Sequence, residues 1–369
     1  MKKYKIFVIN PGSTSTKLAL FENEHKILET NVFHDSSVLL QFPTVNAQLP
    51  YRKKLIMDFL SENHIDLSDV DAIVGRGGSC YPVASGVYVI DDKLIEDTAA
   101  GKGGMEHPSN LGVQLARELQ KEFGGRIFMV DPPCVDELCD MARMTGIDGV
   151  PRHTNMHALN LRGVAMHHEK HVLGKKYEDC CFIVCHIDGG ISVSAHRYGR
   201  IIDCNDAAGG DGPYTPTRIG SVSVADILEY VRDKDIDEVK KLCTRTGGFV
   251  SHFGTSSSDA VHKMAEEGNK KAIRVWDGMK YQIVKYIGAM AAVLGGRVDG
   301  ILLTGGLLRF EDITQTIREQ CEWIAPVSTY PGEVEHEALA AGALRVLRGE
   351  EEPKHYTGRP VWDGWHDED

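Results

Sequence analysis

The sequence predicts a duplicated α/β protein: two domains, each opening on a three-stranded antiparallel unit whose first hairpin has a polar, glycine-bearing tip. Three observations lead there. The stretch Phe7-Val8-Ile9-Asn10-Pro11-Gly12-Ser13-Thr14-Ser15-Thr16-Lys17-Leu18-Ala19-Leu20 is an apolar run, a Gly- and hydroxyl-rich turn and an alternating run, the pattern of a β-hairpin around a polar bend. Phe182-Ile183-Val184-Cys185-His186-Ile187-Asp188-Gly189-Gly190-Ile191-Ser192-Val193-Ser194-Ala195 repeats it, with Asp188 in the place of Asn10. A third strand follows each copy, Lys26-Ile27-Leu28 and Arg200-Ile201-Ile202-Asp203. At 369 residues the chain is also long for one core, so two domains are expected, with the two hairpins looking at each other across a cleft.

The first tip has the chemistry of an anion site. Gly12 lets the backbone approach a phosphate, exposed N–H groups make a small positive concavity, the hydroxyls donate, and Lys17 adds a mobile charge. The Gly-Lys-Ser/Thr of a P-loop is absent. One such tip alone is more often an ordinary turn than a phosphate site; its recurrence is what favours phosphate.

Further along, Arg52 to Asn63 has helical spacing, and Val70 to Val74 is a short strand running into Gly75-Arg76-Gly77-Gly78-Ser79. A strand ending in a Gly turn puts its last residues at the carboxyl edge of a sheet, where α/β proteins bind ligands. Arg76 there is either a solvated turn residue or a fork for a carboxylate or phosphoryl group. Val87 to Ile90 is a strand, His107-Pro108-Ser109-Asn110 a loop before the amphipathic helix Leu111 to Phe123, and Arg126 to Val130 a strand stopped by Pro132. Asp131 projects from that strand end as a turn cap or a functional acid. Arg152-His153-Thr154-Asn155-Met156-His157 is expected to begin a helix reaching Met166, with His153 and His157 on one face. Packing histidines and phosphate contacts both fit, the latter favoured by a helix N-terminus.

In the second half, Arg218 sits in a Pro- and Gly-flanked loop as a second cation. Helices are expected at Val222 to Arg232, Ile236 to Leu242, Asp259 to Glu267 and Lys271 to Leu294, the last a core or dimer helix. Gly300-Ile301-Leu302-Leu303-Thr304-Gly305-Gly306 is a third Gly-terminated strand, and Trp323, Ile324 and Val327 mark a last one. Pro331 to Glu337 leads into the helix Ala338 to Leu347; beyond Gly349 follows a charged tail or surface strap.

A formal charge of −12 argues against a nucleic-acid partner. The N-terminal apolar run is too short for a secretory leader and Ile287 to Leu294 is a fraction of a membrane span. Nine cysteines without a Cys-x-x-Cys fit reduced thiols rather than a zinc site. A cytoplasmic protein without membrane association is expected.

Taken in order over roughly residues 4 to 350, the motifs Asn10 to Lys17, Gly75 to Gly78, His107 to Asn110, Arg152 to His157, His186 to Gly190 and Leu303 to Gly306 resemble the acetokinase family, and within it the butyrate kinases. The superfamily also holds sugar kinases, actin and Hsp70. The resemblance implies two ribonuclease H-like, actin-like ATPase domains with a nucleotide and substrate cleft between them. Residues 1–180 would bind the acyl substrate with 338–347 packed back on them, 181–337 the nucleotide, and 349–369 would form a tail. It implies reversible, ATP-dependent phosphorylation of a short-chain carboxylate to an acyl phosphate, with Mg²⁺, in a homodimer or larger homo-oligomer.

Carried over motif by motif, Asn10 and Glu337 attend the metal, and Lys17, His186, Ile187, Asp188, Gly189, Gly190, Asp259, Gly305 and Gly306 attend ATP/ADP. Asp131, His153 and Arg218 serve the transfer, and Arg76, Gly75 and His107 the substrate. One departure matters. Acetate kinases carry Arg-Val-Val-His-Gly-Gly where Ile73-Val74-Gly75-Arg76-Gly77-Gly78 stands here, so Arg76 would act from the place of the family's His. Gly75 in place of a Val is expected to leave room for butyrate or a branched C4–C5 acid rather than acetate. The rival readings are an acetate or propionate kinase, a nucleotide-driven binding module on the same fold, and a structural protein whose Gly turns are only turns. The paired Arg76 and Arg218, suited to a second anion, favour the kinase.

Overall fold

The computed structural model describes residues 2–104 and 107–365, and its packing divides the chain into two units, Met1–Asp136 with Val334–Asp369, and Glu137–Glu333. In the first unit β1 (Lys5–Pro11), β2 (Ser15–Glu22), β3 (His25–Phe33), β4 (Ala72–Arg76), β5 (Val87–Val89) and β6 (Arg126–Val130) form one sheet, ordered β3-β2-β1-β4-β6-β5. β1 and β2 are the expected hairpin, with Asn10 opposite Lys17 and Pro11 opposite Thr16. Phe7, Ile9, Ile73, Ile127 and Met129 join a buried core with Ile56 and Leu60 of the helix Leu49–Glu62 and Leu115 and Leu119 of the helix Leu111–Phe123. The helix Glu335–Arg348 packs against β1, β4 and β6 as well. Strands covered in this way read as unbroken apolar runs, whereas β3 at the sheet edge alternates.

β1, β4 and β6 are parallel, and their register puts Ile9 beside Gly75, Gly75 beside Met129 and Arg76 beside Val130. Asn10, Arg76 and Asp131 therefore leave the sheet at one carboxyl edge.

The second unit has β7 (Cys181–Ile187), β8 (Ile191–Arg197), β9 (Arg200–Cys204), β10 (Gly300–Gly305) and β11 (Val327–Pro331), ordered β11-β10-β7-β8-β9. The antiparallel meander followed by two parallel strands repeats β6-β4-β1-β2-β3 of the first unit, which is the duplication expected. Trp276, Met279, Ile283 and Ile287 of the helix Lys270–Val293 pack on Ile183, Cys185, Val193 and Leu303, so that helix is core. Among the described residues no helix is long and apolar enough to cross a membrane.

Two features differ from expectation, and a third decides between the two forms expected of the C-terminal segment. The chain enters the second unit at Glu137 rather than at 181, because the helix Ala158–His168 packs on β7 and β10 and Cys139 N–H donates to Ile202 O at 2.9 Å. That helix begins at Ala158, not Arg152, so His153 and His157 do not share a helical face. Tertiary bonds hold the preceding segment open: Arg152 reaches Asp203 and Cys204 O, Thr154 Oγ1 donates to Asn205 O, and Asn155 N–H to Asp206. Finally, the described part of the C-terminal segment is a strap on the first unit. Lys354 exchanges backbone bonds with Val87 and Val89, and Tyr356 is buried with its hydroxyl on Asp97.

Candidate active site

At the carboxyl edge of the first sheet, Asn10, Arg76 and Glu335 form one buried polar cluster. Asn10 Nδ2 donates to Glu335 Oε2 at 2.6 Å, and Arg76 Nη1 donates to Asn10 Oδ1 and Glu335 Oε2, both at 3.0 Å. Arg76 Nη2 meets Glu335 Oε1 at 2.8 Å, completing a two-pronged ion pair. A guanidinium has five N–H donors. The end formed by Nη1 and Nη2 serves Glu335, while the side-on edge, Nε with the second Nη2 hydrogen, has no bond among the described residues. Arg76 is thus a fork already braced by an internal carboxylate.

This corrects the expected metal pair. Asn10 is brought to Glu335, which sequence reasoning passed over, and not to Glu337. Glu337 is half exposed and holds Lys26 of β3 at 2.8 Å. Two residues apart on a helix do not share a face, so only one acid of the run Glu333-Val334-Glu335-His336-Glu337 reaches Asn10.

Gly75 also departs from expectation. A Cβ on it would lie 2.2 Å from Gly112 O, and one on Gly112 would lie 2.1 Å from Arg76 O. The space a valine would take is filled by the backbone of the helix Leu111–Phe123, not left for an acyl chain. Gly75→Ala is accordingly expected to cost about 3 kcal/mol or more through forced separation of helix and strand, read as a lower urea midpoint. A stable variant with a shifted acid preference would instead restore the pocket argument.

Asp131 ends β6 in a left-handed conformation, φ +39°, one that Asp tolerates better than most residues. Its Oδ1 accepts from Gly86 N at 2.7 Å, tying β6 to the turn before β5. His107 caps the short turn Pro108–Asn110: Ser109 N–H donates to its Nδ1 at 3.2 Å. Lys17 is exposed on β2, opposite Asn10.

In the second unit the tip Asp188-Gly189-Gly190 joins β7 to β8. Asp188 Oδ1 accepts from Gly189 N and Oδ2 from Gly306 N, both at 2.8 Å, so one carboxylate ties the ends of β7 and β10 together. Gly305 has φ +110°, and a Cβ there would lie 2.3 Å from Ile187 O. The arrangement therefore requires glycine. Asp259 is linked to the same turn through Arg309, whose Nη2 meets Asp259 Oδ2 and whose Nη1 donates to Gly306 O, each at 2.9 Å.

Arg218 lies against this tip. A Cβ on Gly190 would sit 2.6 Å from Arg218 Nη1, and the hydroxyls of Thr215 and Thr217 donate to Gly189 O at 2.7 and 3.2 Å. Nη1 donates to Ala207 O, Nε is buried without a hydrogen-bond partner among the described residues, and burial lowers the guanidinium pKa. His153 is exposed in its loop, whereas His157 stacks on His186 with ring centroids 3.9 Å apart. Asn160 Nδ2 bridges His186 Nδ1 at 2.8 Å and Thr304 Oγ1 at 3.1 Å. Ligand atoms of His186, Asp188 and Glu333 all lie within 4.8 Å of one another. Two carboxylates and an imidazole at that spacing fit a divalent cation that keeps water and phosphate oxygens as its other ligands.

Residues 150–327 match the family model described as the acetokinase family. The chain is 42% identical to a probable butyrate kinase of Clostridium botulinum (strain Alaska E43 / Type E3), covering 96% of this chain and 99% of that protein. It is 41% identical, with the same coverage, to butyrate kinase 1 of Clostridium acetobutylicum. Among solved structures it is similar to Porphyromonas gingivalis acetate kinase, with a TM-score of 0.75 at 18% identity over 94% of this chain and 100% of that one. Entamoeba histolytica acetate kinase gives 0.73 at 16% identity over 92% and 98%.

Proposed function

Because the chain belongs to the acetokinase family, we propose that it moves the γ-phosphoryl group of ATP to a short-chain fatty acid, butyrate by preference, giving butanoyl phosphate and ADP reversibly. The observation that carries the reading is full-length relatedness to proteins named butyrate kinases. The preference for four carbons rests on those names, since Gly75 opens no pocket.

The chemistry brings two anions into line, so repulsion is the obstacle and cations are the remedy. Arg76, held end-on by Glu335, offers its side-on edge to the substrate carboxylate. Arg218, partly buried beside the Gly189–Gly190 tip, takes the equatorial oxygens of the phosphoryl group in transfer, with His153 as the second donor. The N–H groups of the two glycine turns, Gly189–Gly190 and Gly305–Gly306, approach the phosphates, Ile187 shapes their backbone, and Asp259 acts through Arg309 on the adenosine side. Lys17 supplies mobile charge at the first tip, and His107 lines the acyl side. A carboxylate is ionised at neutral pH and needs no base, so Asp131 positions the end of β6 rather than accepting a proton.

Asp188, Glu333 and His186 are the residues that would hold Mg²⁺. When bound, the ion neutralises charge on the β- and γ-oxygens. A cytoplasmic homodimer or larger homo-oligomer belongs to the same proposal. Val224, Leu228, Tyr230 and Ile236, exposed on the helices Val224–Val231 and Ile236–Leu242, support it.

The test is acyl-hydroxamate formation from ATP, Mg²⁺ and hydroxylamine with acetate, propionate, butyrate, isobutyrate and valerate. Product peaking at four carbons is expected. A preference for acetate would remove the butyrate assignment, and absence of product with every acid would remove the kinase reading.

A further inference from the structure

Arg52, in the first turn of the helix Leu49–Glu62, is 0% exposed, yet among the described residues it has no carboxylate partner. Its bonds go to neutral acceptors. Nη1 donates to Gly12 O at 2.9 Å and, at 3.3 Å each, to Ser15 O and Thr16 Oγ1; Nε donates to Gln48 Oε1 at 3.0 Å. Nη2 is buried with no hydrogen-bond partner among the described residues. His34, a titratable neighbour across Thr16, does not offset the charge. His34 Nε2 bonds Thr16 Oγ1 at 2.8 Å, and burial together with the Arg52 charge lowers its pKa to about 4, so it is neutral at physiological pH.

A fully buried cation without a counter-ion is costly, and the other arginines near the site show what compensation looks like. Arg76 has Glu335, and Arg152 has Asp203 and Asp211. Arg218, set against the second tip, donates to a neutral acceptor, Ala207 O, but has the Asp206 carboxylate near enough to favour its charge. Arg52 has no such carboxylate among the described residues.

What Arg52 holds is the shape of the first tip. The carbonyls of Gly12 and Ser15 turn inward to its guanidinium, and Thr14 O accepts from His34 N at 2.9 Å. With those carbonyls drawn in, the backbone N–H groups of Ser13 and Thr14 have no acceptor among the described residues, and both residues are exposed. Successive N–H groups left in this way form a concavity for an anion.

We propose that Arg52 is a positioning residue for phosphoryl transfer: it holds the Gly12–Thr16 tip so that Ser13 and Thr14 meet a phosphate or acyl-phosphate oxygen, and that anion is its missing counter-ion. The identity of the anion rests on the kinase reading; the anion site itself does not. Binding then stabilises the protein through Arg52, although Arg52 does not touch the ligand.

The test compares full-length wild type, Arg52→Met and Arg52→Lys by thermal shift with inorganic phosphate and with acetyl phosphate, at constant ionic strength, and by steady-state kinetics. Arg52→Met is expected to keep or raise the melting temperature without added anion, lose the anion-induced shift, and lower kcat about 10- to 100-fold with a smaller change in the KM for butyrate. Arg52→Lys, keeping charge without the fork, is expected to retain part of the shift and little of kcat. A structural role predicts the reverse: a lower melting temperature without anion, and an unchanged shift and kcat per folded molecule. That result overturns the proposal. If Arg52→Met does not fold, an undiminished anion shift and normal kcat in Arg52→Lys overturn it instead. Wild type that binds phosphate through Arg52 but makes no hydroxamate would defeat the kinase reading and leave this inference standing.

Discussion

Arg218→Ala is expected to lower kcat by about 10³-fold while the protein melts no earlier than wild type. The two effects separate because the loop does not depend on the guanidinium. Thr215 and Thr217 seat it on Gly189 O, and the backbone bond from Thr215 N to Arg218 O closes the turn. What alanine removes is a partly buried cation, with one bond to Ala207 O and a buried Nε without a hydrogen-bond partner among the described residues. Such a group is unfavourable in the resting protein and pre-set for charge that develops during transfer. Arg218→Lys is expected to fall nearly as far, because an ammonium has no planar fork. The measurement is kcat with saturating ATP and butyrate in the hydroxamate assay, alongside a melting curve. A loss below about 10-fold would take Arg218 out of the transfer step.

Arg76→Ala is expected to act on binding and on stability together. Losing the side-on fork should raise the KM for butyrate about 10- to 100-fold, the worth of a charged hydrogen-bond pair. It also leaves Glu335, 5% exposed, without its cation, and breaking one side of such a pair costs about 3–5 kcal/mol. Glu335→Gln in the same chain should recover most of that stability by removing the stranded charge, without recovering the KM. Urea midpoints and KM for wild type, Arg76→Ala and the double variant decide the matter. A double variant with a normal KM would mean that Arg76 only neutralises Glu335.

The strands and their duplication were legible because both rest on local pattern. Buried strands of this sheet type read as apolar runs, their hairpins carry their own turn residues, and a repeat is visible wherever both copies keep these signals. The strand-end residues Arg76, Asp131, Asp188 and Gly305 were legible for the same reason, since a Gly or Pro marks where a strand stops. The start of the helix after Arg152 was misjudged because the competing bonds come from Asp203, Asn205 and Asp206, some fifty residues away. Helical spacing carries no trace of such partners.

By itself the sequence determined the α/β class, the two hairpin tips, the family and the set of polar residues offered at strand ends, all consequences of short-range periodicity and motif order. Only the tertiary structure decided which of them meet. Asn10 takes Glu335 over Glu337 because helical phase turns only one of the two towards β1, 325 residues earlier in the chain. Gly75 is explained by a helix backbone pressed on it from Gly112. Arg52 reads as one more residue of an amphipathic helix until the fold sets it under Gly12 and Ser15. The cost of burying a charge, and the partner that offsets it, depend on what surrounds the group in space, and adjacency along the chain does not encode that.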